Sequence, residues 1–174
     1  SDQITPENID NWLNSYSLPN HSSSKSVLLI LAGNLPMVGW HDFICCYLLG
    51  FKVKIKLSKS DDVIIPFMIK ILSLFSIDLV KETEIVNGKA KDYDMVIATG
   101  SNNTNRYFEY YFGKTPHLFR KNRTSVAIID NQTTEDDLNK LSKDVFDYFG
   151  LGCRSVTKLY ICLLYTSDAA DDQA

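Results

Sequence analysis

The sequence predicts an α/β fold, a doubly wound parallel sheet, on two observations. Short apolar runs of five or six residues alternate from Ser26 onward with longer segments of helical spacing, the pattern of strands joined by crossover helices. The runs are also rich in Val and Ile, as expected of strands in a parallel sheet covered on both faces.

The strand candidates are SVLLIL (26 to 31), KVKIKL (52 to 57), DMVIAT (94 to 99), SVAIID (125 to 130) and KLYICL (158 to 163). Helices fill the gaps. WHDFICCYLL closes at Gly50, a glycine suited to a helix C-terminus; DDVIIPFMIKILSLF begins with acidic residues at its positive end; TEDDLNKLSKDVFDYF opens on a Thr-capped acidic turn. Pro66 fits the second only near its first turn. Residues 1 to 25 read as a short helix, PENIDNWLNSY with Thr5 as N-cap, and a Ser-rich linker; 26 to 161 read as one nucleotide-binding and catalytic α/β region.

Composition narrows the function classes. The 174 residues are 45% hydrophobic and 22% charged, with a net charge of -3, ordinary for a globular domain. The mild acidity speaks against a nucleic-acid partner, which needs clustered Lys and Arg. No apolar run reaches the roughly 18 residues of a membrane span, and the first ten residues lack the pattern of a secretory signal. Four cysteines, two of them the neighbours Cys45 and Cys46, fit no CxxC motif and suit a reduced, cytoplasmic setting. The N-x-S/T triplets at Asn20, Asn102, Asn122 and Asn131 carry no functional weight in that setting.

The G-x-G-x-x-G fingerprint, the P-loop, the G-x-S-x-G elbow and the H-E-x-x-H metal pattern are absent from the sequence. What remains is a set of loops at expected strand ends, where open parallel sheets bind ligands: AGNLP after the first strand, KLSKSD after the second and ATGSNN after the third. A fourth landmark, GLGC at Gly150 to Cys153, places a cysteine among small residues just before the last strand. Spacing alone leaves Cys153 open between an approachable thiol and a buried structural one. Cys45 and Cys46, inside an apolar helix, read as packing residues.

Together the strings GNLPMVGWHDFICCYLLGFKVKIKLSKSDDVIIPF, IATGSNNTNRYFEYYFGKTPHLFRKNRTSVAIID and DVFDYFGLGCRSVTKLY resemble the acyl-CoA reductase family related to the long-chain acyl-CoA reductase of bacterial luminescence. More distantly, the order of N-x-P loop, K-x-S, T-G-S and cysteine is similar to the aldehyde dehydrogenase superfamily. The resemblance runs from Ser26 to Ile161. It implies an incomplete piece of an aldehyde-dehydrogenase-like fold and the NADPH-dependent reduction of a fatty acyl-CoA, or another acyl thioester, to an aldehyde. Cys153 then matches the nucleophile that carries the acyl group, and Asn34 the amide that stabilises the oxyanion. Lys56 and Ser58 match the cofactor-binding K-x-S, and Gly100 with Ser101 the turn whose following helix receives a pyrophosphate.

Without the resemblance, Asn34 is equally a turn residue, Lys56 a surface lysine and Ser101 an ordinary N-cap. Lys59 stands where NAD-users of the superfamily often carry a glutamate, which favours NADPH over NADH, although a solvated lysine reads almost as well. FRKNR (Phe119 to Arg123) offers no carboxylate where hydrolytic relatives place their general base, as suits an enzyme that must exclude water. The resemblance further implies an acyl-CoA or acyl-protein thioester partner, a homo-oligomeric full-length protein and no metal. Two other readings stay open: a nucleotide-binding fragment without catalysis, and an acyl-phosphate reductase on the same scaffold. CLLYTSDAADD, from Cys162, resembles a translated sequencing adapter; residues 162 to 174 are therefore expected to be an artefactual tail that packs poorly, with a genuine acidic tail as the alternative.

Overall fold

The computed structural model describes residues 5–17 and 24–162. The expected artefactual segment lies outside the described residues except for Cys162, whose N–H donates to the Ile129 carbonyl at 2.8 Å. The chain divides into two compact units, Ser1–Lys121 and Asn122–Ala174.

In the first unit, α1 (Pro6–Asn14) starts where expected: Pro6 opens the first turn and the Thr5 hydroxyl accepts the Asn8 N–H at 3.2 Å. There follow β1 (Ser26–Ile30), α2 (Trp40–Leu48), β2 (Lys52–Lys56), α3 (Ile64–Ser73), α4 (Ile77–Glu82), β3 (Thr83–Ile85), β4 (Met95–Thr99), α5 (Asn102–Phe112) and β5 (His117–Arg120). The five strands form one parallel sheet in the order β3-β2-β1-β4-β5. Helix α2 is capped at Leu49, just past its last residue, and Gly50 with φ 75° turns the chain into β2, a conformation that glycine adopts without steric cost.

The period-2 geometry of β1 explains its unbroken apolar run. Val27, Leu29 and Leu31 join Phe43 and Cys46 of α2, Val53 and Ile55 of β2 and Ile65 of α3 on one face of the sheet. On the other face Leu28 packs with Val96, Ala98 and Phe108 of α5. Successive residues of one strand thus feed two cores, each fully buried side chain contributing about 1.5–3 kcal/mol of transfer free energy. With helices on both faces, the sheet is doubly wound.

The second unit holds β6 (Ser125–Ile129), α6 (Glu135–Phe146) and β7 (Val156–Ile161), with β6 and β7 paired in parallel. Helix α6 opens on a capping box, in which the Thr134 hydroxyl accepts the Asp137 N–H at 3.2 Å while the Asp137 carboxylate accepts the Thr134 N–H at 3.1 Å. After α6, the segment Asp147–Gly150 contains three left-handed residues, Tyr148, Phe149 and Gly150, and residues 151–155 then lead into β7. Val126 and Ile128 on one face of β6, and Leu159, Tyr160 and Ile161 of β7, remain exposed.

Candidate site at the carboxyl edge of the first-unit sheet

The winding reverses between β1 and β4, since β1 leads outward to β2 and β4 leads outward to β5. A reversal of this kind opens a crevice at the carboxyl ends of the strands. Asn34 lies four residues beyond β1, Lys56 closes β2, Ser58 and Lys59 follow it, and Gly100 with Ser101 follows β4. Six of the seven residues singled out from the sequence therefore belong to one edge of one sheet.

Their surroundings differ. Asn34 and Lys59 are exposed, whereas Ser58 is half-buried. The Lys56 ammonium donates to the Gly88 carbonyl in the connection between β3 and β4. Gly33 is needed for close approach: a Cβ there would overlap the Ser58 hydroxyl, so the loop after β1 lies directly on the loop after β2. The Ser101 hydroxyl caps α5 by accepting the Thr104 N–H at 3.2 Å, and the first-turn amides of α5 favour an anion there.

Three further side chains shape this edge. Asn105 and Asp42 carried no sequence signal, while Asp61, expected among the acidic residues opening DDVIIPFMIKILSLF, lies ahead of α3, which begins at Ile64 with no acidic residue in its first turn. Asn105, 2% exposed, donates from Nδ2 to the carbonyls of Gly100 at 3.1 Å and Ser101 at 2.9 Å. It thereby fixes the turn that starts α5. Its Oδ1 is buried without a hydrogen-bond partner among the described residues. Asp61, 8% exposed, accepts the Met37 N–H at 2.8 Å. Asp42, on the first turn of α2 and 7% exposed, pairs with Arg120 at the end of β5, and the Arg120 carbonyl accepts the Gly100 N–H at 3.2 Å.

The thiols divide as their positions suggest. Burial, with the Asp42 carboxylate and then Cys45 adding to it, pushes the Cys46 thiol up to about 12. Burial and Asp42 also raise Cys45, against a smaller opposing influence of Arg120. Cys45 Sγ lies 3.7 Å from His41 Nε2, but a thiol held in its protonated form gains no nucleophilicity from that neighbour. Cys153, the seventh residue singled out, belongs to the second unit. It is exposed in a turn closed by the Ser155 N–H donating to the Gly152 carbonyl at 3.0 Å.

No helix among the described residues is long and apolar enough to cross a membrane. No family model matches the chain, and no curated protein matches it. Solved structures do. An aldehyde dehydrogenase from Bartonella henselae superposes with a TM-score of 0.65 at 16% identity over 84% of this chain and 35% of that one. An aldehyde dehydrogenase of Mycobacterium tuberculosis complexed with NAD+ superposes with a TM-score of 0.58 at 18% identity, over 80% of this chain and 34% of that one. A Delta-pyrroline-5-carboxylate dehydrogenase from Mycobacterium tuberculosis gives 0.52 at 16% identity, over 79% and 28%. The chain thus spans about a third of the length of these solved structures, and what it shares with them is the fold of aldehyde dehydrogenases.

Proposed function

We propose that the chain is part of an NADPH-dependent reductase that converts a fatty acyl thioester to an aldehyde through an acyl-enzyme on Cys153. The observation that carries this reading is the exposed thiol of Cys153 on its Gly152–Ser155 turn, in a chain with an aldehyde dehydrogenase fold whose Cys46 is buried in a helix and whose Cys45 is half-buried there.

The Cys153 thiolate attacks the thioester carbonyl carbon, the carbonyl electrons move onto oxygen, and Asn34 donates a hydrogen bond to that developing oxyanion. Loss of one such donor typically slows acyl transfer by about 10²- to 10³-fold. Collapse of the tetrahedral species expels the CoA thiolate, which takes a proton from solvent, and leaves the acyl group on Cys153. A nicotinamide cofactor, when held there, would supply hydride for reduction of the acyl group to the aldehyde, and Cys153 would be returned as the thiolate. The residues present fit a dinucleotide. The α5 N-terminus beside Gly100 and Ser101 would take the pyrophosphate, Lys56 and Ser58 the ribose, and the exposed ammonium of Lys59 a 2′-phosphate. The aldehyde dehydrogenase complexed with NAD+ supports a nicotinamide cofactor on this fold. The absence of a carboxylate from Phe119 to Arg123 supports transfer to CoA over hydrolysis.

The test is mass spectrometry of the protein after incubation with a long-chain acyl-CoA. A mass increase on Cys153, absent in Cys153→Ala and accompanied by stoichiometric free CoA, is expected. An unmodified Cys153 would leave a nucleotide-binding chain without catalysis, and acylation by an acyl phosphate alone would move the substrate class.

A further inference from the structure

The loop after β1 and the loop after β2 are joined by more than proximity. Met37 sits in the left-handed region at φ 61°, a conformation that an unbranched L side chain holds only when its surroundings impose it. Here both ends of the residue are fixed. Its N–H donates to the Asp61 carboxylate at 2.8 Å, and its carbonyl accepts the Trp40 N–H at 3.0 Å, which starts α2. The Ser58–Asp61 turn that presents this carboxylate is itself closed, the Asp61 N–H donating to the Ser58 carbonyl at 3.1 Å and the Ser60 N–H to the Ser58 hydroxyl at 3.3 Å. On the other side of the same contact, Gly33 lies so close to Ser58 that a Cβ would overlap it. Asn34 falls between these two points of attachment.

We propose that Asp61 is a positioning residue that clasps the Asn34 loop to the Ser58–Lys59 loop, so that the oxyanion donor and the cofactor loop move as one body. A hydrogen bond to a carboxylate is roughly twice as strong as one between neutral groups, and a carboxylate shielded from water competes little with solvent for its donor. Ligand contacts at Ser58 or Lys59 would therefore be transmitted to Asn34 through a rigid connection. The role assigned to Asn34 rests on the acyl-reductase reading; the clasp itself rests on geometry alone.

Two measurements on the whole chain separate these claims. Amide hydrogen exchange at Met37 reads the clasp directly. It should accelerate by about tenfold or more in Asp61→Ala, with β1 amides unchanged, and stay near the wild-type rate in Asp61→Asn, whose side-chain oxygen can accept the same N–H. Acylation of Cys153 by acyl-CoA, measured without cofactor, should slow by about tenfold in Asp61→Ala. It should recover in part when Met37→Gly is added, because glycine holds the left-handed conformation unaided. Thermal unfolding of each variant checks that the sheet has formed. Unchanged Met37 exchange in a folded Asp61→Ala would overturn the clasp, and equal acylation of wild type and Asp61→Ala would overturn its positioning role. A wild type that is never acylated would sink the reductase reading, while the exchange experiment would still decide the clasp.

Discussion

Asp42 Oδ1 lies 2.7 Å from Arg120 Nη2, joining the first turn of α2 to the last residue of β5 across 78 positions of sequence. The carboxylate is shielded and the guanidinium is half exposed, so the two ends of the pair are not equivalent. Removing Arg120 strands a buried charge, whereas removing Asp42 returns a partly solvated cation to water. Arg120→Met is therefore expected to destabilise the chain by about 2 kcal/mol, with the exposed side of the pair discounted for screening. Asp42→Asn should cost less, and Asp42→Leu combined with Arg120→Met should recover part of the loss. Urea unfolding of the four proteins measures the differences; equal costs for the two single changes would show that the asymmetry is wrong.

Alkylation by iodoacetamide at pH 8 should label Cys153 and Cys162 first, Cys45 more slowly and Cys46 last. A thiol at about 12 is ionised to only about one part in ten thousand at that pH, and burial adds a steric barrier. Because the folded value of Cys46 is raised, its contribution to stability is complete below the ordinary thiol value of about 8.5. That contribution is lost as pH rises towards about 12. Peptide mapping after timed alkylation gives the order, and early label on Cys46 would contradict it.

Tyr148 and Phe149 hold φ values of 56° and 55°, and Phe149 is 93% exposed. Each left-handed L-residue costs roughly 1–2 kcal/mol in backbone strain, and an exposed ring returns little packing energy against it. Phe149→Gly should consequently stabilise the chain by about 0.5–1 kcal/mol, the relief of strain exceeding the added flexibility of the unfolded state. Thermal unfolding tests this, and a lowered midpoint would mean that the ring makes contacts worth more than the strain.

The Thr134 hydroxyl and then the Thr134 N–H, both donating to Asp137, hold its carboxyl below the usual carboxylate range. A lowered folded value means that the capping contribution is present above the ordinary aspartate value of about 3.9 and is lost as pH falls through the lowered one. Amide exchange in the first turn of α6 should accelerate in acid below about pH 4 beyond the intrinsic rate change. Asp137→Asn should abolish that step; if it persists, another group controls the turn.

The readable elements were those whose chemistry is local. SVLLIL announces β1 because both of its faces are buried, and the Thr134 and Thr5 caps announce α6 and α1. The two edge strands of the first sheet left no such trace. Thr83–Ile85 is three residues long, and His117–Arg120 carries a histidine and an arginine where solvent reaches it. At the site, loops rich in Gly, Asn and Ser stood out because strand ends demand them. The clasp of Asp61 on Met37 and the pair of Asp42 with Arg120 arise only once segments 24 and 78 residues apart have folded together, so no local pattern encodes them.

The bare apolar surface of β6 and β7 has a practical consequence. Among the described residues these two parallel strands pair only with each other, and they set their outer edges beside Val126, Ile128, Leu159, Tyr160 and Ile161, all open to water, the combination that recruits foreign strands edge to edge. At high concentration the purified chain is therefore prone to intermolecular sheet growth nucleated at residues 125 to 161. A lysine at Ile128, placed as a gatekeeper, would keep it in solution.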